Sequence, residues 1–510
     1  MGWLTRGKNT YIKNRNMKSA YLADSDISTD FTSEIEQNEA ILKETFQHCS
    51  DLEYRRIEVN HSLQWLIVYI DSLIDKKMLD EHVIKPMQTS QKRDELPKEE
   101  VDLKNKLISI GNTRSSSKVS DTVRNLLEGH AAILTAGSST VLTVSIPGLV
   151  KRSLEEPSSE QVLRGPRDGF IEQLSTNVSL IRARLKTPKL KVEYITLGEH
   201  SHTRIAISYL SGIVQESLVD EVRTRLMSIQ LDGILDSGYI EEYIEDQPYS
   251  PFPQVHSTER PDVVVAELLE GKVAILVDTS PFVLIVPMTF WTGLQASEDY
   301  YNRWPIATFV RWIRFLFINL AIFAPPLYVA ITTFHQEMIP TNLVLSIAAA
   351  REAVPFPAMV EALLIEIIFE ALREAGIRLP KQIGPTISIV GGLVIGQAAV
   401  QAGFISAPVV IIVSITGIAA FTIPRYSLAN GIRLLRFPML FLAGFLGLYG
   451  IVLGFLGIML HVTSLRSFGV LYFSPVTPLN VSALKDVIIR QPIWAKFRVK
   501  SRRTKEGGER

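Results

Sequence analysis

A single cysteine, Cys49, stands in the 510 residues of this chain. Disulfide scaffolds and cysteine-based zinc sites are thereby excluded. Net charge is missing too. The 53 Lys and Arg are balanced by 53 Asp and Glu, so no global attraction to nucleic acid follows. The N-terminal arm is basic (Arg6, Lys8, Lys13, Arg15, Lys18), but no apolar h-region follows it, and a cleavable signal peptide is not expected. Catalytic signatures are absent: there is no G-x-S-x-G, H-E-x-x-H or kinase set. "GPRDG" (165–169) has two glycines but lacks the Lys-Ser/Thr of a phosphate loop. His200 and His202 in "GEHSHTR" could pair on a metal, yet no Cys or acid cluster accompanies them, which favours a polar turn. The expectation is a protein that is not an enzyme and carries no cofactor.

What the chain does contain is an asymmetry. Up to about residue 270 it is charged and interrupted; from Phe282 to Leu479 it is apolar for long stretches, the sign of a membrane region. The fold class expected is a two-lobed α/β soluble region followed by an α-helical transmembrane bundle. The expected divisions are a polar arm (1–30), a first lobe (31–150), a second lobe (151–280), a helical membrane domain (281–480) and a basic cytoplasmic tail (481–510). In the first lobe, "LQWLIVYIDSLID" (63–75) reads as a buried strand, "DTVRNLLEGH" as a helix and "HAAILTAGSSTVLTVSI" (130–146) as a hairpin. In the second, a helix carries Ile171, Leu174, Val178 and Ile181 on one face, and "KVEYITLG", "RIAISYLSG" and "GKVAILVD" read as strands. No internal repeat is evident.

Five segments approach the ~20 residues of a span: 315–334, 356–375, 383–400, 407–423 and 437–460. Pro325-Pro326 predicts a kink in the first. A weaker sixth, 275–295, is broken by Asp278, Pro281 and Pro287 and reads as re-entrant or interfacial. Trp304, Arg311 and Arg314 before the first span match a membrane interface. Both chain ends are expected in the cytoplasm, the second because the tail "AKFRVKSRRTK" is strongly basic. That requires an even number of crossings, so either 275–295 crosses or one of the five does not.

Charge inside the second segment is costly, about 2.5–3.5 kcal/mol for an Asp, Lys or Arg at a helix centre. At 100° per residue Glu366, Glu370 and Glu374 share a face, with Glu361 offset. Either these acids line a cation path, with Glu361, Glu366 and Glu370 as its candidate residues, or they are braces neutralised by Arg373, Arg351 or a neighbouring subunit. Small residues form a second pattern. Gly392 and Gly396 make a GxxxG, and Gly444, Gly447, Gly450, Gly454 and Gly457 recur along the last segment. Such stripes let helices approach closely, within one subunit or between subunits. Gln397 and Gln401 suit a helix interface or a pore lining.

Several strings then converge. "EQVLRGPRDGFIE", "TNVSLIRARLK", "YIEDQPYSPFPQ", "STERPDVV", "LLEGKVAILVD", "SPFVLIVP", "SEDYYNRW" and "SFGVLYFSP" resemble, in order and over nearly the whole chain, the A subunit of GerA-type spore germinant receptors. The related stage-five sporulation AF proteins share them. The resemblance implies a multi-pass protein of the spore inner membrane with a cytoplasmic N-terminal region. It implies two partners, a transporter-like, nutrient-binding B subunit and a lipoprotein C subunit. It also implies a homo-oligomer, as a pentamer, set in membrane lipid and forming a channel that releases monovalent cations. Two other classes stay open: a carrier of ions or amino acids, and a non-conducting scaffold.

Overall fold

The apolar runs of the N-terminal half are strands buried on both faces. In the computed structural model, residues 29–59, 62–91, 112–148, 156–157, 159–378, 394–492 and 494 are described. They fall into two compact units.

The first unit holds both α/β lobes. In the first lobe, α1 (Ile35–Thr45) precedes the antiparallel pair β1 (Leu52–Val59) and β2 (Ser62–Ile70). The short β3 (Thr113–Ser116), α2 (Val119–Leu127), β4 (His130–Thr135) and β5 (Val141–Ser145) follow, and the sheet order is β1-β2-β4-β5-β3. Alternation along β2 sends Leu66, Val68 and Ile70 toward α1 and α2. Trp65 and Ile67 go to the opposite face, against Leu79, Val83 and Met87 of the helical stretch after it.

The second lobe is built from α3 (Leu174–Arg184), β6 (Leu190–Leu197), β7 (Thr203–Leu210), α4 (Glu216–Met227), β8 (His256–Thr258), α5 (Pro261–Leu268), β9 (Val273–Val277) and β10 (Val283–Val286). Its order, β6-β7-β9-β10-β8, repeats that of the first lobe. The repeat, not evident in the sequence, extends to side chains. Buried Asn38, fourth in α1, accepts from Thr32 N and donates to Thr32 O; buried Asn177, fourth in α3, does the same with Ile171. Phe31 N donates to Ser117 O two residues before α2, and Phe170 N to Glu259 O two residues before α5. The two lobes are therefore variations of one topology. Asp51 of the first meets Arg182 of the second in a fully buried bidentate pair (Nε–Oδ2 2.5 Å, Nη2–Oδ1 2.7 Å). Burial alone would lower the Arg182 pKa, but Asp51 reverses this and raises it.

Two sequence expectations are corrected here. The weak sixth segment is neither re-entrant nor interfacial over 275–286, because β9 and β10 occupy it as buried strands of the second sheet. A strand covered on both faces reads as a continuous apolar run, which mimics a membrane segment. Residues 242–256, placed by sequence in the second lobe, belong with 158–167 to the second unit.

That second unit is helical. Its main helices are α6 (Trp304–Phe334), α7 (Thr341–Arg351), α8 (Ala358–Arg378), α9 (Ala407–Phe421) and α10 (Tyr426–Ser464); residues 394–401 are also helical. A small β11 (Arg466–Ser467), β12 (Val470–Leu471) hairpin and α11 (Val481–Ile488) follow. By length and composition, α6 and α10 are apolar and long enough to cross a membrane. Pro325 and Pro326 are accommodated inside α6, both buried.

The last expected span is two helices. Gly447, at φ 60° and ψ −140°, breaks α10, and beyond it the chain doubles back. Gly450 lies against Leu442, and Gly454 against Met439 and Leu442, so the arms 426–446 and 448–464 are antiparallel. A Cβ at Gly447 would meet Phe334 and His335, which places the turn at the end of α6. Only glycine adopts this backbone region without strain.

Contacts give the directions of α6, α8 and α9 relative to the first arm of α10. Ala321 with Arg436 and Phe334 with Gly447 make α6 parallel to the first arm. Met359 with Gly444, Glu366 with Arg436 and Glu370 with Arg433 make α8 antiparallel to it. Glu361 with Ser406 and Glu366 with Thr416 make α9 parallel to α8.

Candidate functional site: an ion-pair ladder on α8

Each of the three candidate acids on α8, Glu361, Glu366 and Glu370, has a cationic partner within the chain. Glu361 is fully buried. Arg351 Nε approaches its Oε1 at 3.0 Å, and Ser406 gives its backbone N (3.1 Å) and Oγ (2.7 Å) to Oε2. Glu366, also buried, takes Arg436 Nη1 at 2.5 Å. Arg436 Nε donates to Ala321 O at 2.8 Å, so one guanidinium joins α6, α8 and α10. Glu370 pairs with Arg433 Nη1 at 3.1 Å and is half exposed. Arg373 was expected beside Glu370 by its i,i+3 spacing. It lies instead over the rings of Phe421 and Tyr426, 5.2 and 5.8 Å from their centroids. Hydrocarbon disfavours a lone charge, and this pairing is the arrangement that lets four arginines and three glutamates sit among apolar helices.

The glycines divide by contact. Gly392 lies outside the described residues. A Cβ at Gly396 would stand 3.3 Å from Val410 Cγ1 of α9. Gly444 admits the Met359 side chain, Gly450 the backbone of Leu442, and Gly454 Met439. All of these are contacts within one copy of the chain. Gly457 has nothing within 4 Å.

Of the three interface candidates, Trp304 is 44% exposed, whereas Arg311 and Arg314 are buried. Both guanidinium groups converge on Asp299, at 3.2 and 3.1 Å from its Oδ2. Arg314 Nη1 also donates to Leu294 O (2.7 Å), and Arg311 to the carbonyls of Asp486 and Val487 at the end of α11. Cations there complement the negative end of a helix. Asp299 is the residue that sequence reasoning missed. It stands five residues before Trp304, and a charge rule that counts only Lys and Arg passes over it.

His200 and His202 stand in the β6–β7 turn, and no group of three or more His, Cys, Asp or Glu with metal-binding proximity occurs among the described residues. Burial pushes the Cys49 thiol up, which makes it a poor nucleophile. These features define a class: paired α/β lobes joined to a helical unit whose internal charges are neutralised by arginines, without a catalytic constellation among the described residues.

The family follows from comparison. The model for "Bacillus/Clostridium GerA spore germination protein" matches residues 40–502, and the chain belongs to that family. It is 46% identical over 450 residues to the uncharacterized membrane protein YfkQ of Bacillus subtilis (strain 168), covering 88% of this chain and 87% of that one. It is 44% identical over 461 residues to spore germination protein KA of the same organism, covering 90% and 85%. The solved N-terminal domain of the A subunit of the Bacillus megaterium spore germinant receptor GerK3 is 33% identical, with a TM-score of 0.41, over 52% of this chain and 98% of that one.

Proposed function

We propose that this chain is the A subunit of a nutrient-sensing germinant receptor in the spore inner membrane, and that copies of it assemble around a path for monovalent cations. The observation that carries the membrane part is the fold-back at Gly447. With it, the passes are α6, α8, the apolar sequence segment 383–400, α9 and the two arms of α10. Six is even, so the parity conflict of the five-segment count disappears without a crossing at 275–295. The C-terminal segment ends on the side where α6 begins, in keeping with the contacts of Arg311 to α11. The lobes and the basic tail then share the cytoplasmic side. A transporter-like B subunit and a lipoprotein C subunit are the partners this role requires.

The α8 acids act as braces in this reading, because their charges are already met by Arg351, Arg433 and Arg436. Surfaces for neighbouring copies lie elsewhere. None of the residues of α7 is buried, although the helix is mostly apolar, and Gln397 and Gln401 are exposed. The test is recording from purified full-length protein in planar bilayers. Unitary cation currents are the expected result. Slow saturable flux would replace the channel with a carrier, and silence from a well-assembled oligomer would leave a scaffold.

A further inference from the structure

The helical unit encloses a cavity of about 420 Å³ that the ion-pair ladder does not touch. Phe315 and Ile318 of α6, Phe455 and Ile458 of the second α10 arm, and the packed rings of Trp291 and Phe473 line it. Asn319 is the one polar side chain among its described lining residues, and its amide is given to Phe315 O at 2.8 Å. Water in such a space would lack the two to four polar partners it needs. Left empty, the aromatic wall would forfeit its dispersion contacts. The size is within the range of ligand pockets.

The opening has a chemistry of its own. Phe455 in the wall is 42% exposed, and its neighbours Leu316 and Leu456 are 58% and 50% exposed. They sit on α6 and on the second arm of α10, both apolar. In the membrane placement proposed above, on which this inference rests, that side faces hydrocarbon rather than water. Leu294 lines the cavity while its carbonyl takes Arg314 Nη1, and that guanidinium is engaged by Asp299 as well. Nothing in the wall is placed to read a charged head group.

We propose that this cavity holds one acyl chain of a membrane phospholipid, which enters sideways between α6 and the second arm of α10. At about 30 Å³ for a water-sized group, the space takes on the order of fourteen methylenes. The chain leaves one hydrocarbon environment for another, so entry carries no desolvation penalty, and selection acts on the chain rather than the head group. Occupancy fills the seam between α6 and the hairpin.

Full-length protein in vesicles of phosphatidylglycerol or phosphatidylcholine carrying a diazirine in one acyl chain would be irradiated and its labelled peptides mapped. Label is expected to concentrate on residues 315–323 and 455–459, equally for the two head groups and above the exposed Phe441 and Phe445 of the first arm. Ile458→Trp, which fills the space, should cut that label several-fold and leave the Phe445 label unchanged; Met459→Phe serves the same purpose if the first variant does not fold. Uniform label over all exposed apolar positions, or label indifferent to filling, would overturn the proposal. So would label from a free diazirine alkyl alcohol alone, or protein-to-protein crosslinks at Phe455 in place of lipid, which would give the cavity to another copy.

Discussion

Glu366→Gln is the substitution that most directly separates a brace from an ion path. The amide keeps the size of the side chain and removes its charge. Arg436 then keeps its bond to Ala321 O but loses its carboxylate partner, in a site where both residues are about 95% buried. Removing one partner of a buried pair costs about 3–5 kcal/mol, since the other charge stays desolvated without compensation. A protein of ordinary stability, about 5–15 kcal/mol, loses a large part of it. Glu370→Gln is the internal control. Its side chain is 46% exposed, so losing the pair with Arg433 should cost only about 0–1 kcal/mol.

The assay is the abundance of each variant in spore membranes, its thermal midpoint in detergent, and cation release during germination normalised to receptor abundance. Glu366→Gln should fall sharply in abundance and midpoint, Glu370→Gln hardly at all, and flux per surviving receptor should be unchanged in both. A Glu366→Gln protein as abundant and stable as the wild type, with reduced flux per receptor, would refute the reasoning and return Glu366 to a conducting path.

Gly447→Val should prevent the hairpin, because a β-branched residue at φ 60° and ψ −140° is strained by about 1–3 kcal/mol and its side chain meets Phe334 and His335; loss of a bifunctional-reagent crosslink between Phe323→Cys and Phe455→Cys would report it. Asp51→Ala leaves Arg182 buried without its carboxylate, and limited proteolysis of the full chain should open the first unit with about 3–5 kcal/mol of lost protection. At Glu39, burial pushes the carboxyl pKa up, but Lys43 and Arg56 outweigh it and hold the group below the usual carboxylate range. Its stabilisation is thus complete above the unfolded carboxylate pKa and lost as pH falls through the folded one; Glu39→Gln should flatten that acid-side loss in a pH series of thermal midpoints.

The strands of both lobes were legible because period-2 and short apolar runs bounded by turn residues are local signals, and Gly137 marked the turn between β4 and β5. The same logic found β9 in "GKVAILVD" but missed β10 (Val283–Val286), a strand buried on both faces that looks like membrane sequence. The repeat of the lobes was hidden because Asn38 and Asn177 are two shared positions among many different ones. The fold-back at Gly447 was present in the sequence as one glycine in a stripe of five, and nothing local distinguishes the glycine that turns the chain from those that admit a neighbour. For the acids, the helical wheel found the stripe but chose the wrong partner for Glu370. Arg433 and Arg436 come from a helix some sixty to seventy residues away in sequence, set against α8 by the antiparallel packing of the first α10 arm, and no i,i+3 or i,i+4 rule reaches that far.

The ladder also explains why charge is kept where leucine would pack. Two apolar helices can slide past each other at little cost, whereas Glu366 on Arg436 and Glu370 on Arg433 fix the register of α8 on the first arm of α10. If register is what the pair provides, its geometry matters and not its charge alone. Exchanging the charges, Glu366→Arg with Arg436→Glu, keeps an ion pair but places a carboxylate against Ala321 O, where a guanidinium now donates. The exchange should therefore recover only part of the abundance lost in Glu366→Gln. Replacing the pair by apolar residues of similar volume, Glu366→Leu with Arg436→Met, should recover more, since a buried pair is often no more stable than its hydrophobic replacement. That second protein would be stable yet free to slip, and disulfide mapping between α8 and α10 should then find more than one register. A single register in it, identical to the wild type, would show that packing at Gly444 and Met359 sets the alignment and that the charges do not.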